Sequence, residues 1–159
     1  MNCRFCNINP EKTHVLKEGK FMRVIFSNPR LMPGHLLIVP KRHVKKMSEL
    51  TKKEQQELWQ TIIEFQEKIL KNVSSGCDIR QNCRPFQKGS KVKVAHLHVH
   101  LQPREIYDEL YKKCQIFETG LFKDLPSREL KKFIKIFSHQ KPKKIAEETK
   151  QRLFTFQGK

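Results

Sequence analysis

Three of the chain's seven histidines, His96, His98 and His100, stand at every second position of VKVAHLHVHLQPR, residues 92–104. The run reads as a strand, in which alternate side chains share a face; the imidazoles line one side and Leu97, Val99 and Leu101 the other. Neighbouring histidines on that face are about 6.6 Å apart and the outer two about 13 Å, too far to serve a single centre. Two adjacent sites are therefore expected. Cys3, Cys6 and His43 are sulfur and nitrogen ligands awaiting a fourth, and an outer histidine of the three would complete a tetrahedral zinc site. The remaining pair suits phosphorus chemistry. A neutral imidazole is a nucleophile that forms a covalent intermediate, and its neighbour can hold charge on the phosphoryl oxygens or protonate a leaving group. From spacing alone, nucleophilic catalysis and a bare three-histidine metal site are equally good readings, because both use histidine readily.

Several elements must position these residues. FMRVIF (21–26) reads as a strand, followed by a turn through SNPRLMPG. HLLIVP (35–40) is a continuous apolar run bounded by Gly34 and Pro40, the pattern of a strand buried on both faces. Thr51 and Glu54 have capping-box spacing and open a helix. Leu58, Ile62, Phe65 and Ile69 continue it to about Leu70 as one apolar stripe, which is core and carries no chemistry. CDIRQN reads as another strand, and CRPFQKGSK as the loop before the histidines. Beyond Pro103 the character changes: EIYDELYKK and SRELKKFIKIF look helical, and residues 140–159 are basic. The division is thus a domain over 1–104 and a helical, basic extension over 105–159, either part of the same compact unit or a partner-binding tail.

The length, 159 residues, suits one domain with a modest accessory segment. The formal net charge of +17 favours anionic partners, whether nucleotides, nucleic acid or acidic surfaces, although a solvated lysine-rich surface accounts for it equally well. No run of about 18 apolar residues and no secretory leader is present, so no membrane span is expected and the chain reads as cytoplasmic. In that setting the five cysteines do not form a disulfide framework, and C-x-x-C reads as a metal clip or redox pair.

HLHVHLQ (96–102) resembles the signature of the histidine-triad (HIT) superfamily, with Gln102 at the final, normally apolar position. MPGHLLIVPKRHV (32–44) is similar to the family's Pro-Gly-His strand and the Pro-Lys-x-His after it, and the CRFC start is similar to that of zinc-containing bacterial members. The resemblance covers about residues 1–104. It implies an α+β fold: an antiparallel sheet of about five strands with a long helix packed on it, usually in a homodimer. It also implies roles. His98 attacks the α-phosphorus of a purine nucleotide conjugate, giving a nucleotidyl-histidine that water cleaves. His100 contacts the phosphate and aids the leaving group, and His35 belongs to the same constellation. Cys3, Cys6, His43 and His96 hold a structural zinc, and the chemical step needs no metal.

The implied enzyme is a nucleotidyl hydrolase or transferase of phosphoramidase or dinucleoside polyphosphate hydrolase type. A histidine at position 100, where the nucleotidylyltransferase branch has glutamine, favours hydrolysis. The ribose-binding Asp or Asn of the family falls on Ser27, with Asn28 one step away. Val92 stands where a phosphate-binding glutamine is usual; Gln81, Asn82 and Ser90 are candidates to supply the polar contacts it lacks. The reading from another class is a nucleic-acid-associated or nucleotide-binding module with weak or no turnover, held to nucleic acid by charge. Few aromatics interleave with the basic residues, which is against base stacking.

Overall fold

The computed structural model describes residues 3–9, 11–83, 94–113 and 134. The chain divides into two compact units, Met1–Gln115 and Ile116–Lys159, and the elements below belong to the first. These are β1 (Val15–Glu18), β2 (Met22–Phe26), β3 (Leu36–Pro40), α1 (Lys52–Asn72), β4 (Gly76–Arg80) and β5 (Val99–Arg104), with a single 3₁₀ turn at Met47–Glu49 before the helix. All adjacent strands pair antiparallel in the order β1-β2-β3-β5-β4. The protein is α+β, as the resemblance implies.

The helix begins where the capping box places it. The Thr51 hydroxyl accepts from the Glu54 N–H, and the Glu54 carboxylate accepts from the Thr51 N–H at 2.7 Å. Glu54 also receives Arg42 through Nε (3.0 Å) and Nη2 (2.8 Å), and Arg42 donates to the Glu49 carbonyl. Arg42 and the capping bonds hold the Glu54 carboxyl down at about 2. One box thus starts the helix and anchors the loop that carries His43.

Leu58, Ile62, Phe65 and Ile69 pack on Met22, Val24, Leu36, Ile38, Val99 and Leu101, the helix-side residues of three strands. On the opposite face, Ile25, Leu37 and Val39 form a smaller cluster, covered by Phe5, Ile8 and Val15. Strand β3 is accordingly buried at every residue. The sheet's second face is closed by the N-terminal lead over β2 and β3. Over β5 that face carries the polar row His100, Gln102 and Arg104.

The histidine strand is shorter at its start than its alternation predicts. β5 begins at Val99, so His96 and His98 precede it. Their segment is held by a Leu97 N–H bond to the Val44 carbonyl (2.6 Å), outside the ladder. At its other end β5 runs through Pro103 to Arg104. Pro103 has no N–H to donate, and it lies past Leu101, the last residue paired with β3, where the strand has one neighbour only. Strand β1 has no expectation behind it: four residues, mostly exposed, give no alternating signal. The helix expected over EIYDELYKK starts only at Glu109, because the Asp108 carboxylate caps it by accepting from the Leu110 and Tyr111 N–H groups. The loop 84–93, including Ser90, and the segment from 114 on, apart from the helical Ile134, lie outside the described residues.

Gly34 makes the turn into β3 with φ of +74°, a region that disfavours any side chain. A Cβ there would stand 3.0 Å from Val73 Cγ1 and 3.1 Å from Pro103 Cγ. Gly34→Ala is expected to destabilise the fold by about 1–3 kcal/mol, from left-handed strain plus this crowding. A urea titration would show it as a lower midpoint with an unchanged slope.

Candidate active site and metal centre

Cys3 and Cys6 come together in a tight turn, with the Cys6 and Asn7 N–H groups both bonded to the Cys3 carbonyl. Two distant segments deliver the partners. Arg42 clamps the loop after β3, and the Leu97-to-Val44 bond sets that loop beside the histidine segment, with His43 and His96 ring centroids 4.9 Å apart. The ligand atoms of Cys3, Cys6, His43 and His96 all lie within 4.8 Å of one another. His96 Nδ1 is 3.4 Å from Cys3 Sγ and 3.5 Å from Cys6 Sγ, and His43 Nδ1 is 3.2 Å from Cys6 Sγ. Such spacings are close to the ~3.6 Å edge of a tetrahedron built on ordinary Zn–S and Zn–N bonds.

The tautomer of His96 agrees with that use. A carbonyl can only accept, so His96 Nε2–H donates to Pro40 O at 2.9 Å, leaving Nδ1 as a lone pair aimed at the two sulfurs. Burial pushes the His96 imidazole below its ordinary range, favouring this neutral form. The donor set therefore fits a tetrahedral metal ion.

The same reasoning assigns the other rings. His98 Nδ1–H donates to the His96 carbonyl at 2.7 Å, so its Nε2 holds a free lone pair. His35 Nδ1 accepts from the Leu31 N–H at 3.2 Å, so its proton sits on Nε2 and is given to His100 Nδ1, 2.9 Å away. His100 must then carry its own proton on Nε2. That atom is buried and has no hydrogen-bond partner among the described residues. The His98 and His100 rings lie 5.0 Å apart, centroid to centroid. A bare nitrogen and a free N–H thus stand side by side, each set by a bond on the far side of its ring.

Burial pushes both His35 and His100 down to about 4, with Arg104 adding to the shift at His35, and His98, His35 and Arg80 at His100. The pair is neutral at pH 7. Because the folded value is depressed, the unfolded chain takes up protons that the native one refuses as pH falls below about 6.5. Stability is complete above that pH and is lost toward pH 4. His35 is 2% exposed, and its contribution to the loss between pH 7 and 4.5 is about 2–3 kcal/mol. Urea unfolding of wild type and His35→Gln at the two pH values should show the extra acid loss in wild type only.

Of the remaining candidates, Ser27 closes the β2–β3 hairpin: its N–H donates to the His35 carbonyl at 2.9 Å. Its hydroxyl is spent on the Pro29 carbonyl (2.9 Å), while Asn28 is exposed. Asn82 is brought to the histidine side through Arg80, whose Nε–H donates to its Oδ1 at 3.0 Å. Gln81 lies between them, just past the end of β4. Gln102, buried beside His100, accepts from Arg104, which also pairs with Asp78 (2.7 Å) and Asp108 (2.9 Å). Two participants escape a reading of the sequence. Phe5 packs edge-on against His96 and His98, with centroids 5.8 and 5.2 Å away, and its only signal is its place inside the C-x-x-C turn. Arg80 stands opposite His100 in the β4–β5 ladder.

A five-stranded antiparallel sheet bearing this histidine row, with the Pro-Gly-His turn feeding it, defines a histidine-triad protein. The profile of the HIT domain matches residues 9–106, and the chain belongs to that family. It is 33% identical over 102 residues to an AP-4-A phosphorylase of Mycobacterium tuberculosis, covering 61% of this chain and 49% of that protein. It is 26% identical over 127 residues to an asymmetrical bis(5′-nucleosyl)-tetraphosphatase of Schizosaccharomyces pombe, covering 70% and 67%. The chain spans about half the length of the mycobacterial relative. Two solved structures share the fold. A Zn-bound histidine triad family protein from Mycobacterium smegmatis has a TM-score of 0.58 at 22% identity, over 69% of this chain and 80% of that one. A HIT family protein from Bacillus anthracis has a TM-score of 0.60 at 18% identity, over 96% and 92%.

Proposed function

We propose that the protein is a nucleotidyl hydrolase or transferase that attacks the α-phosphate of a purine nucleotide conjugate through a covalent nucleotidyl-histidine. The observation that carries this reading is the pairing of a bare His98 Nε2 with the unpartnered Nε2–H of His100. His98 Nε2 forms the P–N bond as the bond from phosphorus to the leaving group breaks. His98 Nδ1–H, held on the His96 carbonyl, stabilises the positive charge that develops on the ring. His100, kept neutral, donates a hydrogen bond to a phosphate or leaving-group oxygen, and His35 fixes the tautomer that makes this donation available. Water then attacks the phosphorus and returns His98. Asn28 is better placed than Ser27 for the ribose, since its side chain is uncommitted.

Cys3, Cys6, His43 and His96 would hold a structural zinc, which would tie the N-terminal lead to the histidine segment; the chemical step needs none. The relatives named for dinucleoside polyphosphates support that substrate type ahead of a phosphoramidate. A homodimer would cover Trp59 and Ile63, 56% and 58% exposed on one side of α1. No helix of the described residues is long and apolar enough to cross a membrane, and a cytoplasmic setting, which keeps thiols reduced, suits the Cys3–Cys6 site. The test is a panel of adenylated and guanylated substrates assayed with wild type and His98→Ala. Product from wild type alone supports the enzyme; nucleotide binding without product from either would return the protein to a binding module.

A further inference from the structure

Two arginines lie on the histidine side of the sheet near its β4 edge, and they differ in one respect. Arg104 is consumed: Asp78, Asp108 and Gln102 take its donors, and its side chain is 10% exposed. Arg80 has no carboxylate partner among the described residues. In the antiparallel ladder Arg80 is directly opposite His100, so the two side chains share a face and stand roughly 5 Å apart at their bases. Its Nε–H is tied to Asn82 Oδ1 (3.0 Å), which aims the guanidinium and leaves both terminal amino groups without a partner among the described residues. That fork is the geometry that receives phosphate oxygens in pairs. Its charge reaches His100, where it adds to the depression of the imidazole.

Sheet order gives the fork a direction. Ser27 and Asn28 lie in the β2–β3 turn, the histidines on and just before β5, and Arg80 on β4 beyond them. A nucleotide with its ribose at the β2–β3 turn and its α-phosphorus at His98 projects its leaving group across His100 toward β4. We propose that Arg80 is a leaving-group reader: its guanidinium binds phosphates beyond the scissile one, so the site selects nucleotides that leave as a phosphate chain over those that leave as an amine. This rests on the nucleotidyl-transfer reading of His98, and it makes Arg80 a specificity-determining residue.

Binding separates the two ideas from each other. Calorimetry on the full chain with its metal, at 0.15 M salt (a Debye length of about 8 Å), would compare inorganic tripolyphosphate with AMP. Arg80→Met is expected to weaken tripolyphosphate by ~10-fold or more and AMP by less than ~2-fold. Arg80→Lys should recover only part of the loss, because an ammonium is a point charge with no fork. Lys45→Met, on an exposed loop elsewhere, controls for the overall positive charge. Undiminished tripolyphosphate affinity in Arg80→Met, an equal loss for AMP, or an equal loss in Lys45→Met would each overturn the proposal. In turnover, the ratio of kcat/KM for diadenosine tetraphosphate to that for adenosine 5′-phosphoramidate should fall ~10-fold in Arg80→Met, the size expected for one lost charge-assisted pair. Turnover of both substrates with that ratio unchanged overturns the reader and leaves the hydrolase standing. Arg80-dependent binding with no turnover of either keeps Arg80 as a polyphosphate-binding residue, sinks the hydrolase and overturns the selection among leaving groups.

Discussion

His98→Ala is expected to lower kcat for an adenosine phosphoramidate or a diadenosine polyphosphate by ~10⁴-fold or more, with nucleotide affinity changed only a few-fold. The size follows from what is lost. No other nitrogen in the described site combines an available lone pair with a back-side bond to a carbonyl. His100 carries its proton on the inward nitrogen, and its other nitrogen is occupied by His35. His96 gives Nε2–H to Pro40 and turns Nδ1 to the cysteines. Neither can replace the nucleophile without breaking the bond that orients it. The truncation costs the fold little, because His98 is only partly buried and its side chain's hydrogen bond among the described residues is to a backbone oxygen. A quenched reaction of wild type should contain acid-labile nucleotide on the protein, and the variant none. Undiminished hydrolysis by His98→Ala would sink the mechanism.

The second large effect is expected at the metal centre. The protein as isolated should hold about one zinc per chain, and stripping it with a chelator, or Cys3→Ser, should lower the melting temperature by roughly 10 °C or more. The cysteine turn, the loop after β3 and the segment before β5 meet at these four ligands and are otherwise joined by few bonds. Without the ion, two thiols and two imidazoles face one another, and burial together with Cys3 raises the Cys6 thiol. Activity should fall as well, because His96 carries the carbonyl that holds His98 in its tautomer. Metal-free wild type with an unchanged melting temperature in chelator would remove zinc from the account.

Local chemistry was legible where neighbours in sequence are neighbours in space. The Thr51–Glu54 box, the stripe from Leu58 to Ile69 and the apolar run of β3 each follow from a short-range period, and each stands where that period puts it. Alternation also placed Leu97, Val99 and Leu101 against the helix and His98 and His100 away from it. It was misleading about pairing. A period of two reports which side of the chain is buried, and His96 and His98 keep that alternation before β5 begins, in a segment tied by the Leu97 N–H to the Val44 carbonyl and by no ladder. Strand β1 was silent for the opposite reason, being too exposed to alternate.

By itself, then, the sequence determined the kinds of atoms available: a cysteine pair, five histidines of two uses, an α+β frame and an excess of positive charge. Tertiary structure decided which atoms are free. The tautomers of His35, His98 and His100 depend on contacts with Leu31, His96 and each other, and no spacing encodes a 2.9 Å approach between residues 65 apart. Arg80 is one of 33 basic residues until the register of β4 on β5 sets it opposite His100 while the two aspartates go to Arg104. The reason is that side-chain type is local, whereas register and hydrogen-bond partnership are set by the packing of segments far apart in the chain.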